Sequence, residues 1–121
     1  MAFTVTSPKI TCSVTTTTAI STIANHGTGV YAYISYTKGT EGGLVITPST
    51  LNPTISSSTY YNMVKADAAY ALSNLTYSIA ATGTYKIPFT LALSDTKLKL
   101  TFSALSGTAS GAIAIDIFEG E

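Results

Sequence analysis

Lys97-Leu98-Lys99-Leu100-Thr101-Phe102-Ser103 is the stretch that decides the fold class of this chain. Leu98, Leu100 and Phe102 share one face and the polar residues share the other, the period of two that marks a strand half in a core and half in water. Upstream, Tyr85, Ile87, Phe89, Leu91 and Leu93 alternate in the same way, and Ser94-Asp95 between the runs is turn chemistry. Residues 84–103 are therefore expected to form a hairpin. Lys97 and Lys99 read as charges protecting a sheet edge. Pro88 has no amide hydrogen, which assigns it to an edge, a bulge or an outward-facing position.

Working outward, Ile113, Ile115 and Ile117 occupy one face of a C-terminal strand, with Ala112, Ala114, Asp116 and Phe118 on the other. That small second face suggests contact with something close. Leu75, Tyr77 and Ile79 repeat the pattern, as do Phe3 with Val5, and Ile10, Cys12 and Val14. Residues 30–36 set Tyr31 and Tyr33 opposite Ala32 and Ile34, so both faces of that strand are expected to be covered. Residues 27–29, 38–43 and 47–53 are rich in Gly, Pro, Ser and Thr and read as loops. Over 59–72, Tyr60, Met63, Val64, Ala68, Ala71 and Leu72 fit a helical stripe with Ser58 or Thr59 as N-cap, although Tyr and Val accept a strand equally. One short helix is the expectation there.

Seven or eight short strands without βα alternation point to an all-β chain: one domain over 1–121, folded as an antiparallel β-sandwich of jelly-roll or immunoglobulin-like topology. The residue budget agrees, because 121 residues suit a single core. At 45% apolar and 10% charged, the chain carries six lysines, no arginine and six carboxylates, for a net charge of zero. Such a composition folds rather than staying disordered, and it leaves little repulsion between copies. Neither nucleic acid nor an acidic membrane is an expected partner. The start lacks the basic and continuous apolar regions of a secretory signal, and no apolar run is long enough to span a bilayer, so synthesis in the cytoplasm is expected.

Chemistry is sparse. Cys12 is the only cysteine, which excludes an internal disulfide and, with one histidine, a zinc site. His26 lies in the turn Asn25-His26-Gly27 and reads as a turn residue rather than a base. Gly107-Thr108-Ala109-Ser110-Gly111 sets its serine one position too late for a nucleophile elbow. The carboxylates are scattered: Glu41 in a glycine loop, Asp95 in a turn, Glu119 and Glu121 at the terminus. They are expected to be solvated. No phosphate loop or calcium loop occurs, Gly39 with Gly42 and Gly43 reads as a mobile hairpin tip, and no cofactor is expected. Asn74-Leu75-Thr76 is a formal glycosylation sequon that is expected to carry nothing without a secretory signal.

The eight tyrosines are the most suggestive side chains. Tyr31, Tyr33 and Tyr36 on one strand, and the Tyr60-Tyr61 pair, form the candidate interface, since tyrosine couples a large apolar face to a hydroxyl. Ordinary cross-strand packing is the competing explanation. A carbohydrate-binding module would use the same residues, although the absence of tryptophan weakens that case.

A small Thr/Ser/Ala/Gly-rich β domain with few charges, no disulfide and a strand ending almost at the C-terminus resembles the small structural proteins of tailed-phage particles. The resemblance lies in composition and layout over the whole chain and carries no diagnostic motif, so no functional residue is transferred. Capsid decoration or cement proteins are the nearest group, with head-fibre and tail components as alternatives. What the resemblance implies is a non-enzymatic, oligomeric subunit of the virion that binds capsid protein, copies of itself, or both, and stiffens the shell.

Overall fold

The computed structural model describes residues 3–5, 10–13, 18–22, 29–92 and 94–120. His26 lies outside them, as do the side chains of Cys12, Glu119 and Glu121. The strands are β1 (Phe3–Val5), β2 (Ile10–Ser13), β3 (Thr18–Thr22), β4 (Gly29–Thr37), β5 (Leu44–Leu51) and β6 (Tyr60–Asn62). They continue with β7 (Val64–Ala66), β8 (Leu72–Asn74), β9 (Tyr77–Ile79), β10 (Gly83–Phe89), β11 (Lys97–Ala104) and β12 (Ala112–Gly120). Among the described residues there is no helix.

In the first sheet β12 lies between β4 and the pair β1/β2, and β10 closes the far side of β4. In the second sheet β11 lies between β3 and β5, while β6 and β9 share the other side of β5. All these pairings are antiparallel. With β7 and β8 set aside as a separate two-stranded sheet, counting β1/β2 and β6/β9 each as one strand leaves eight, paired first with last, second with seventh, third with sixth and fourth with fifth. That nesting is a long hairpin rolled on itself, the jelly-roll order rather than the immunoglobulin one.

The alternation read from the sequence decides which residues meet between the sheets. Val30, Ala32, Ile34 and Tyr36 of β4, the three isoleucines of β12, and Ile87 and Phe89 of β10 face Leu44, Ile46, Ile79, Leu98, Leu100 and Phe102 in one core. Each fully buried aliphatic side chain contributes about 1.5–3 kcal/mol. Tyr77 and Phe89 meet edge to face across the sheets, 5.9 Å between ring centres.

The hairpin expected over 84–103 does not form. β10 pairs with β4 and β11 with β3 and β5, so the Ser94-Asp95 corner carries the chain from one sheet to the other. Asp95 is buried there, accepting the Ala92 amide at 2.8 Å and the Asn52 side-chain amide at 3.1 Å. Period-two alternation identifies a strand and its inward face but is silent about its partner. For the same reason Lys97 and Lys99 do not guard an edge: β11 is central, and Lys99 Nζ rests 4.9 Å from the centre of the Tyr60 ring. Pro88 is on an edge strand, as its missing donor requires.

Two segments read from composition behave differently in the fold. Residues 47–51 belong to β5 despite Pro48. The Met63 amide donates to the Pro48 carbonyl at 3.1 Å, so the nitrogen of Pro48 faces that same side, where β5 changes partner from β9 to β6 and no ladder bond is lost. Residues 59–72 form strands and a turn instead of a helix. Asp67 Oδ1 accepts the amides of Ala69 and Ala71 at 2.8 and 3.0 Å, closing a tight turn between β7 and β8, and of the apolar stripe only Met63 packs on the core, while Val64, Ala68, Ala71 and Leu72 are exposed.

Candidate binding surfaces and a buried carboxylate

The outer face of the first sheet is built from the residues that alternate with the core. Register places Phe118, Tyr31 and Pro88 in one row across β12, β4 and β10, then Asp116, Tyr33 and Lys86, then Ala114, Ser35 and Thr84. Large aromatics in two rows above small residues in the third leave an open groove of about 500 Å³. Tyr33 and Phe118 pack edge to face with centres 5.4 Å apart. Lys86 Nζ stands 4.5 Å from the centre of the Tyr31 ring and 6.0 Å from that of Tyr33. The Ser35 and Thr84 hydroxyls are 3.0 Å apart. The groove thus offers aromatic rings between a cation and a carboxylate, with hydroxyls at one end.

The tyrosines of the candidate set separate into three places. Tyr31 and Tyr33 line the groove. Tyr36, by parity, points the other way and is 1% exposed, so it is part of the interior and not of a surface. Tyr60 and Tyr61 lie on the edge of the second sheet, Tyr60 half-buried under Lys99 and Tyr61 exposed. Phe118 and Lys86 were not in the set. Their signal was present in the alternation of β12 and β10, but only the sheet order brings them beside Tyr31.

Glu41, expected to be solvated on a mobile glycine tip, is 0% exposed. Oε1 accepts the amides of Ser110 at 2.7 Å and Gly111 at 2.9 Å. Oε2 accepts the Gly39 amide at 2.7 Å and the Tyr36 hydroxyl. The Tyr36 bond, then the Ser110 and Gly39 amides, hold the carboxyl far below the usual carboxylate range against the opposing effect of burial, and the Gly111 amide adds to them. Tyr36 is pushed up to about 12, first by burial and then by the bond to Glu41 and its charge. Gly111 permits this approach: a Cβ there would stand 2.6 Å from Glu41 Oε2 and 2.7 Å from the Thr37 carbonyl oxygen. The carboxylate fastens the loop after β4 to the loop before β12.

The third feature is the β7–β8 arm. Its six strand residues are all exposed, with Val64 at 52% and Leu72 at 70%, and Tyr70 at its tip is 85% exposed with φ of 63°. The Leu75 amide bonds the Met63 carbonyl at 2.8 Å, and the half-buried Met63 packs against the core, anchoring the base of the arm. Asn74 of the sequon bonds Asn62 through its side chain at 3.3 Å.

Among the described residues no cluster of three or more His, Cys, Asp or Glu side chains is placed to hold a metal ion, and no helix is long and apolar enough to cross a membrane. Comparison of the chain with protein-family models, with curated proteins and with solved structures finds no match.

Proposed function

We infer that this protein is a non-enzymatic structural subunit of a virus particle, a capsid decoration or cement protein that binds the shell and stabilises it. The observation that carries this reading is the division of labour among its polar and apolar groups. Glu41 and Asp95, buried and fully bonded, close loops and corners, while large apolar side chains stand in water at Ile55, Tyr61, Val64, Tyr70, Leu72 and Leu105. Exposed apolar surface on a weakly charged domain favours burial against other subunits. Many copies then convert modest contacts into durable attachment. A head-fibre or tail component would use the same surface. The test is to add purified protein to particles that lack it: cosedimentation and a gain in resistance to heat or osmotic shock are expected, and a chain that never cosediments with any particle overturns the reading.

The groove supports a second reading, a carbohydrate-binding sandwich, because Tyr31, Tyr33 and Phe118 flanked by Lys86, Asp116 and hydroxyls suit a sugar ring. Binding on a glycan array that disappears in Tyr33→Ser supports it, and an array without hits removes it.

A further inference from the structure

We propose that the β7–β8 arm docks on a second copy of this chain, with the Tyr70 ring entering the groove formed by Tyr31, Tyr33 and Phe118 on that copy. A two-stranded hairpin is marginal in water unless it packs on something, and this one turns Val64 and Leu72 outward. Its tip is nevertheless well defined. The Asp67 amide bonds the Ala71 carbonyl at 3.1 Å, the Tyr70 amide bonds the Asp67 carbonyl at 2.9 Å, and the Asp67 carboxylate ties down two more amides. Tyr70 is held in left-handed backbone that a bulky side chain adopts only at a cost. A rigid turn that spends strain to present an aromatic ring to solvent has the form of a preorganised anchor, since little freedom is lost when the ring is buried.

The acceptor that matches this anchor is in the same chain. The groove has room for an aromatic ring with an aliphatic neighbour, and its rims carry Lys86 and Asp116, opposite in sign to Asp67 and Lys65 of the arm. A net charge of zero removes long-range repulsion between copies. The arm extends from the second sheet and the groove lies on the outer face of the first. The contact joins two different surfaces, so reciprocal exchange between two copies gives a two-fold dimer, and one-way donation from copy to copy gives a ring or an array.

This inference deepens the assembly reading, and its test uses the purified full chain alone, so that its failure is distinguishable from failure to bind a shell. Sedimentation velocity over a range of concentration is expected to show oligomers for the wild type. Tyr70→Asn, which keeps a residue tolerant of left-handed backbone while deleting the ring, weakens association at least about tenfold, and Tyr33→Ser in the groove does the same. Each variant still unfolds in a single cooperative melting transition. Mixing the two restores a single arm-to-groove contact and yields a heterodimer, which neither variant forms by itself. A photoreactive p-benzoylphenylalanine in place of Tyr70 crosslinks a second copy within residues 31–33 or 116–118. A wild-type chain that stays monomeric, oligomers indifferent to both substitutions, a mixture that does not pair, or a crosslink mapping elsewhere would each overturn the proposal.

Discussion

The loop over residues 39–43 and the arm over residues 64–74 reverse what their compositions suggest. The first, three glycines around a glutamate, contains a buried carboxylate that accepts four hydrogen bonds. The second, an apolar stripe, stands in water. The difference teaches that glycine marks where chains approach closely as much as where they are loose. An apolar residue, equally, records a surface that must be covered without saying that its own chain does the covering.

Glu41→Gln should produce the largest loss of stability, lowering the melting temperature by about 10 °C or more. An amide can face either the Ser110 and Gly111 donors or the Gly39 donor, so one side always opposes donor to donor; an unchanged melting curve would break the comparison. Acid tests the same residue. Because the Glu41 carboxyl is depressed in the fold, its stabilisation is complete above the ordinary glutamate value of about 4.3 and is lost as pH falls below it. The wild type should therefore lose stability below about pH 4 faster than Glu41→Gln does. At the alkaline end, Tyr36 ionises at about 12 in the fold and about 10 when unfolded, so stability falls as pH rises between those values. Tyr36→Phe should flatten that limb.

Gly111→Ala comes next, because its Cβ would press on Glu41 Oε2 and the Thr37 carbonyl. A cost of about 1–3 kcal/mol in urea unfolding is expected. The smallest effect belongs to the arm. Val64→Ser with Leu72→Ser should leave the unfolding free energy of the isolated chain, measured in dilute solution, within about 0.5 kcal/mol of the wild type. A large loss would mean that the arm packs on its own sandwich.

The inward and outward faces of β4, β10, β11 and β12 were legible because side-chain direction in a strand is a local property of period two. Tyr31 and Tyr33 could be placed on one face in this way, and the same parity separates Tyr36 from them. The stripe over 59–72 satisfies the helical period, while the amides of Ala69 and Ala71, donating to Asp67 Oδ1, decide for a turn. Residues 47–53 read as a loop by composition, but Pro48 fits within β5 because a proline is excluded from a ladder only where a donor is needed, and none is needed between β9 and β6.

From its sequence alone the chain was bound to be a β domain with a Leu/Ile/Phe interior, few charges and no cysteine framework, since composition and alternation constrain what each residue can bury. Only the tertiary structure decided that β10 and β11 lie in different sheets, that Lys86 and Phe118 join Tyr31 and Tyr33, and that Glu41 is sealed inside. The physical reason is separation along the chain. Glu41 finds Ser110 and Gly111 some 69 and 70 positions away, and contacts of that range follow from how strands pair, which no local pattern records.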